Sequence, residues 1–414
     1  MCSAIMGNMI QFPPQFFWGA ATSAHQVEGN NINNDWWAWE KEGARGQSGD
    51  ACRHYELYGQ DFDIAKSLNH NAHRLSIEWS RIEPQEGVFS PAELDHYAEV
   101  ISALRQRGLE PIVTLYHFTL PLWLAHKGGW LNPKSPAYFL RFVDKVVQRL
   151  GDKVSYWVTI NEPLVYVYYS YILGDWPPQR KSFIQAIRVT RNLIRAHVGA
   201  FRLIKLIYGK KGLPQSYVSI AKNMQAFVPC RHNLKDSFAV ILRDRLYNFN
   251  LIEKLIRHKT LDFIGVNYYS RNLAEVKRWG INNLLMDVCQ DNHHPLPKNS
   301  MGWDIYPQGL YDLLIKLKRY HLPVFILENG IATDDDSERW RYIEGHLMSV
   351  ARAIGDGVGV MGYIHWSLLD NYEWDKGFGP HFGLVHVDYH TYQRTIKESA
   401  GKFAAVCRTG RLTQ

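Results

Sequence analysis

Val154-Ser155-Tyr156-Trp157-Val158-Thr159-Ile160-Asn161-Glu162-Pro163 is an apolar, β-branched run that stops at an amide, a carboxylate and a proline. It reads as a buried strand. Val324-Phe325-Ile326-Leu327-Glu328-Asn329-Gly330 has the same form and is closed by glycine. One glutamate at a strand end says little. Two, each beside an asparagine and each closed by Pro or Gly, predict a pair of carboxylates aimed into one cleft. Paired carboxylates are what cleavage of a glycosidic bond needs. One protonates the leaving oxygen and the other attacks or activates water.

Outward from these two runs, six more of the same kind can be picked out. The full set is Phe16–Ser23, Ala72–Trp79, Glu110–His117, Val154–Asn161, Tyr217–Asn223, Leu261–Tyr269, Val324–Glu328 and Val360–Leu368. Segments with helical spacing lie between them, most clearly Ala92–Arg107, with Leu94, Tyr97, Ala98, Ile101 and Leu104 on one face. Others are Tyr138–Leu150, Phe183–Ile207, Leu310–Tyr320 and Arg341–Ile354. Strand followed by helix predicts a parallel sheet, and eight repeats predict an α/β fold closed as a single (β/α)8 TIM barrel over residues 10–410. The competing open, doubly wound sheet would usually carry a Gly-rich phosphate turn after its first strand. Gly19-Ala20-Ala21-Thr22 is not one. No Pro-, Gly- or Ser-rich linker divides the chain.

The 414 residues are 46% apolar and 21% charged, ordinary for a globular protein. Aromatics reach 13%, which a large core absorbs, although platforms for sugar rings use the same residues. The net charge of +7 comes from Lys and Arg scattered along the chain without a long basic run, which argues against nucleic-acid binding. Cys2, Cys52, Cys230, Cys289 and Cys407 are odd in number, far apart and without a CxxC. That spacing predicts neither a disulfide framework nor a zinc site and fits a reducing compartment. The first residues lack the basic and apolar regions of a signal peptide, and no run of about 18 apolar residues occurs, so a cytoplasmic protein is expected. Asp334-Asp335-Asp336 reads as a solvated loop and His293-His294 as an isolated pair, neither a metal site.

In a (β/α)8 barrel the chemistry sits at the C-terminal ends of the strands. Those ends present Gln26 and Glu28, Arg74, His117, Asn161 and Glu162, then Asn267, Tyr268 and Tyr269, Glu328, and Trp366, with Glu373 and Trp374 in the loop beyond. Each alone is more often structural. Together, so many polar groups in one buried mouth are costly without a ligand to satisfy, which points to a polyhydroxylated substrate.

The motifs then resemble glycoside hydrolase family 1, the β-glucosidase and β-galactosidase family. The matching strings are Phe17–Ser23 with Gln26-Val27-Glu28-Gly29, His73–Ile82, Thr114–His117, Thr159–Pro163, Asp262–Tyr269, Ile326–Gly330 and Trp366–Trp374. They run in family order over nearly the whole chain. The resemblance implies a retaining β-glycosidase without metal or organic cofactor. Glu162 would be the general acid and then base, and Glu328 the nucleophile, with carboxyls roughly 5 Å apart. Arg74 and Tyr269 would serve Glu328 in its charged form, while partial burial and the charge of Glu328 would keep Glu162 protonated. Asn161 would contact the sugar 2-hydroxyl. Gln26, His117, Asn267, Glu373 and Trp374 would hold the glycone, and Trp366 would floor the ring. Glu373 accepts from neutral hydroxyls and would repel a phosphate, which favours an unphosphorylated sugar. An intact Glu162, where thioglucosidase relatives carry Gln, implies an O-glycosidase.

The chain departs from the family in three places. Phe118-Thr119 stand where many members have Trp-Asp, Leu164 stands where a Trp often follows the acid, and Tyr247–Lys259 is a short connection. The last predicts a cleft more open and more mobile on that side. Hydrolysis of a small β-glycoside or oligosaccharide is the principal reading. A catalytically silent sugar-binding protein and a transglycosidase are the alternatives.

Overall fold

Each of the eight apolar runs contains a strand. They are β1 (Phe17–Ala21), β2 (Ala72–Ser76), β3 (Glu110–Thr114), β4 (Tyr156–Asn161), β5 (Tyr217–Pro229), β6 (Ile264–Glu275), β7 (Val324–Asn329) and β8 (Val360–Trp366). The computed structural model describes residues 9–43, 46–276, 287–289 and 295–413. Neighbouring strands pair in chain order, β8 returns to β1, and all of these pairings are parallel, so the sheet closes into a barrel. Inward positions carry Ala21, Ala72, Ile112, Val158, Ala221, Phe325, Leu327 and Ile364, and these side chains fill the barrel. The outward faces pack under helices in a larger core.

The helices follow the expected spacing. They include α1 (His54–Ser67), α2 (Pro91–Gln106), α3 (Ser135–Leu150), α4 (Phe183–Lys211), α5 (Leu234–Arg243), α6 (Asn250–Arg257), α7 (Pro307–Leu317), α8 (Asp336–Gly355) and α9 (Glu398–Thr409). Their starts are chemically marked. Ser90 accepts from the Glu93 amide ahead of a proline in the first turn of α2. The Asp334–Asp336 loop is used the same way. Asp335 caps α8, while Asp336 accepts from Arg339 and Ser399.

The structure differs from the sequence reading in three respects. First, β5 and β6 run past Asn223 and Tyr269 and stay paired from Ala226–Arg271 to Pro229–Ala274, forming a two-stranded extension beyond the barrel end. Second, this extension brings Cys230 and Cys289 together as a disulfide, against the expectation of unpaired thiols. Asp287–Val288 pairs antiparallel with the end of β6 and delivers Cys289 beside Cys230, a juxtaposition invisible in a separation of 59 residues. Cys52 and Cys407 are free, while Cys2 and His293-His294 lie outside the described residues. Third, the short connection is regular. A π-helical turn, Asp244–Phe249, joins α5 to α6, with Phe249, Leu251, Ile252 and Leu255 buried. Among the described residues, no helix is long and apolar enough to cross a membrane.

Candidate active site

Glu162 follows β4 directly, and two backbone bonds hold it there. The Asn161 amide donates to the Tyr116 carbonyl and the Glu162 amide to the Ala221 carbonyl, 2.8 Å each. Pro163 then opens a short helix, Pro163–Val167, and Glu162 takes up a left-handed conformation with φ 42° and ψ 57°. A non-glycine residue there is held against its steric preference by its surroundings. Glu328 lies within β7 and is followed by Asn329 and Gly330. A Cβ on Gly330 would come within 1.8 Å of the Trp366 carbonyl oxygen, so the glycine permits the close approach of β7 and β8 at the mouth.

A continuous chain of donors and acceptors joins the two carboxylates. Asn267 Nδ2 donates to Glu162 Oε1 at 2.9 Å and to Asn161 Oδ1 at 3.2 Å. Arg74 donates to the same Asn161 oxygen at 2.7 Å, and through its other amino group to Glu328 Oε1. The Tyr269 hydroxyl donates to Glu328 Oε2 at 2.5 Å. Burial and the charge of Glu328 hold the Tyr269 phenol far above its usual pKa, so it remains a donor. Glu328 thus receives a guanidinium on one oxygen and a phenol on the other. Glu162 is treated differently. Among the described residues no cation touches it, and its two hydrogen bonds come from the neutral amides of Asn267 and Asn223. Burial, followed by the charge of Glu328, raises its pKa to about 7, although both amides and Arg74 pull it down.

Asn161 also fixes the protonation of His117. With its oxygen occupied by two donors, Asn161 presents Nδ2 to His117 Nε2 at 3.1 Å, so that nitrogen accepts and the imidazole proton sits on Nδ1. Among the described residues, His117 Nδ1 and Asn267 Oδ1 are buried with no protein partner. Burial, reinforced by Arg74, keeps the imidazole neutral. His117 stands three residues beyond the end of β3, not at it, sandwiched between Trp366 and Trp374 with ring centroids at 6.1 and 5.9 Å.

Gln26 donates to Glu373 at 3.1 Å, to the Tyr372 carbonyl and to Asn371, while its own oxygen accepts from Ser23. Burial, then the charge of Glu328, raises the Glu373 pKa to about 8, with bonds from Trp366 and Gln26 opposing. Among the described residues, no lysine or arginine touches this carboxyl.

Glu28 and Tyr268 are not part of the cluster. Glu28 is paired with Arg81 at 2.8 Å and Tyr97 at 2.9 Å, and the Tyr268 hydroxyl donates to the Tyr306 carbonyl behind the sheet. The sequence reading missed Asn223, although it closes the fifth apolar run, and Trp176, which packs on Trp36, Phe118 and Trp374. Nothing in the local sequence marks Trp176, which comes from the loop after β4. Cys230, Glu275 and Cys289 form the sole cluster of possible metal ligands among the described residues, and there the two sulfurs are bonded to each other.

A model of the family described as "Glycosyl hydrolase family 1" matches residues 8–251 and 239–411. The β-glycosidase of Pyrococcus horikoshii is a structural relative with TM-score 0.91 and 40% identity, covering 98% of this chain and 96% of its own. The β-glucosidase of Thermotoga maritima, solved in complex with glucoimidazole, has TM-score 0.89 and 30% identity over 97% of this chain and 100% of its own. A β-galactosidase of Sulfolobus acidocaldarius is 32% identical over 97% of this chain and 96% of its own. The chain therefore belongs to glycosyl hydrolase family 1, a family of retaining glycosidases on the (β/α)8 barrel.

Proposed function

We propose that the protein is an exo-acting β-glycosidase that hydrolyses unphosphorylated β-glucosides, with β-galactosides and β-fucosides as further substrates, through a covalent glycosyl-enzyme. The observation that carries this is the chain Glu162–Asn267–Asn161–Arg74–Glu328, which couples one carboxyl among neutral donors to another between a guanidinium and a phenol.

Glu328 attacks the anomeric carbon as Glu162 passes its proton to the glycosidic oxygen, and the carbon–oxygen bond to the aglycone breaks. Forming the ester removes the charge of Glu328. That charge is the second-largest influence raising the Glu162 pKa, so Glu162 becomes a better acid at this point and persists as the carboxylate. It then takes a proton from water, which attacks the same carbon and releases Glu328. Two inversions return the β-anomer. Arg74, Asn161 and Tyr269 support these steps. Asn161 Nδ2 and His117 Nδ1–H are the donors for the glycone hydroxyls, Trp366 and Trp374 supply flat apolar faces, and Gln26 and Glu373 close the polar side. A closed polar side accepts a terminal sugar, hence the exo reading. With a pKa of about 8, Glu373 is mostly protonated at neutral pH and is a donor as well as an acceptor. Phosphate is disfavoured there mainly because it would meet no cation. A cytoplasmic location is retained as part of the proposal, though the Cys230–Cys289 bond weighs against it.

The test is initial rates on a panel of aryl β-glycosides that includes a 6-phosphoglucoside, with Glu328→Gln as control. Turnover of the unphosphorylated glucoside, absent in the control, supports the reading. Turnover confined to the 6-phosphoglucoside, or to neither substrate with a folded enzyme, refutes it.

A further inference from the structure

Lys222 takes no part in the reaction above, yet it is fully buried one residue from Asn223, which bonds Glu162. On β5, Ala221 lies inside the barrel and Asn223 reaches into the mouth, so by alternation Lys222 points outward, into the layer beneath the helices. Its amine donates to the Asn223 carbonyl and lies 4.0 Å from the centroid of the Tyr247 ring. Among the described residues, no carboxylate is within ion-pair distance of it. An ammonium buried without a paired anion is costly, and a ring face offsets only part of that cost. Burial lowers the Lys222 pKa to about 7, and the one charge that favours its protonated form is that of Glu162.

Tyr247 completes the arrangement. Its hydroxyl donates to Asn223 Oδ1 at 2.8 Å, which fixes the amide so that Nδ2 faces Glu162 Oε1 at 3.1 Å. Both oxygens of Asn223 are therefore held, the main-chain one by Lys222 and the side-chain one by Tyr247. Burial, then Glu162, holds the Tyr247 phenol far above its usual pKa, so it donates throughout the working range. Tyr247 belongs to the π-helical turn between α5 and α6, within the short connection and close to where the two family-model segments overlap.

We propose that Lys222 and Tyr247 are positioning residues for Glu162: Tyr247 sets the Asn223 amide that donates to it, and the buried Lys222 amine holds the Asn223 carbonyl against the Tyr247 ring. Placed there, its positive charge acts in favour of the Glu162 carboxylate. This rests on the reading of Glu162 as acid and base. Other groups also act on Glu162: Asn267 from β6, Glu328 from β7 and Arg74 from β2. Tyr168 and Tyr169, from the turn after β4, face Tyr247, and Tyr169 and Glu373 feel the charge of Glu162. All of these remain in place when Lys222 is replaced.

The test compares kcat/KM against pH, and against leaving-group acidity, in wild type, Lys222→Met, Tyr247→Phe and Glu162→Gln. Methionine keeps the volume and removes the charge, so the alkaline limb should move up by about half a pH unit or more. Tyr247→Phe removes one oxygen and should slow aryl glucosides with poor leaving groups by about tenfold, and those with activated leaving groups much less. An alkaline limb that stays put or moves down in Lys222→Met overturns the proposal. So does an equal loss on all leaving groups in Tyr247→Phe. The Glu162→Gln profile is read separately. If it shows no selective loss on poor leaving groups, the assignment of Glu162 itself fails, whatever the other two variants do.

Discussion

The wall of the mouth built by β2, β6 and β7 and the wall built by β4 and β5 solve opposite problems. On the first, Glu328 is gripped by Arg74 and Tyr269, one donor on each oxygen. A nucleophile that needs a fixed position and negative charge is well served by charge-assisted bonds. On the second, Glu162 in the proposed mechanism holds a proton, loses it and regains it in every cycle. A guanidinium in contact would trap it as the anion. The structure surrounds it instead with the amides of Asn223 and Asn267, and the Lys222 amine sits behind the sheet. On the proposed assignment, what separates acid from nucleophile in this carboxylate pair is the charge of the partners. Both carboxylates are buried alike, at 7% exposure for Glu162 and 4% for Glu328.

The sharpest way to break this comparison is to replace one carboxylate at a time. Glu328→Gln removes the proposed attacking atom and should lower kcat on every aryl glycoside by on the order of 10⁴-fold or more, measured by initial rates. A loss below tenfold would remove Glu328 from the nucleophile role. Glu162→Gln should cost about 10²–10⁴-fold on alkyl or weakly activated aryl glucosides, and far less in the first step on strongly activated ones. A uniform loss would make the two walls equivalent.

Titration sharpens the contrast. In the proposed mechanism the reactive form has Glu162 protonated, and its pKa is raised to about 7, so kcat/KM should fall as pH rises through about 7, close to tenfold per unit above it. A flat profile to pH 9 contradicts the assignment. Glu373 gives a smaller, thermodynamic effect. Its folded pKa of about 8 lies above the ordinary glutamate value of 4.5, so the stability associated with its proton is fully present below about 4.5 and is lost as pH rises through about 8. Glu373→Gln should therefore gain on wild type between pH 5 and pH 8, by about 1–3 °C in melting temperature. A gap independent of pH would mean that this carboxyl does not change its proton there. The smallest effect concerns the helical connection from β5 to β6, which backs the Glu162 side of the mouth. Amides of α6, with Leu251, Ile252 and Leu255 buried, should exchange more slowly than those of α5, whose Leu234, Phe238 and Ile241 face solvent. Fast exchange throughout 247–260 would instead support the mobility that the short connection suggested.

The eight strands, the main helices flanking them and the positions of the two glutamates are legible in the amino-acid sequence alone. Each of these is a local pattern: an apolar run, a 3.6-residue period, a carboxylate at a strand end closed by Pro or Gly. The sequence also indicated most of the rim, because barrel topology puts every strand end at one mouth. The tertiary structure alone decided which rim residues meet. Gln26 and Glu28 are two residues apart, yet one joins Glu373 and the other turns away to Arg81, because the short helix Ala24–Val27, which contains Gln26 and ends at Glu28, sends their side chains in different directions. Asn267 proved to be a partner of Glu162 as much as a group for substrate. The extension of β5 and β6, the Cys230–Cys289 bond and the Tyr247–Asn223–Glu162 relay all depend on contacts between segments distant in sequence. Local pattern carries no information about them, since burial and hydrogen bonding across a closed barrel are properties of packed strands.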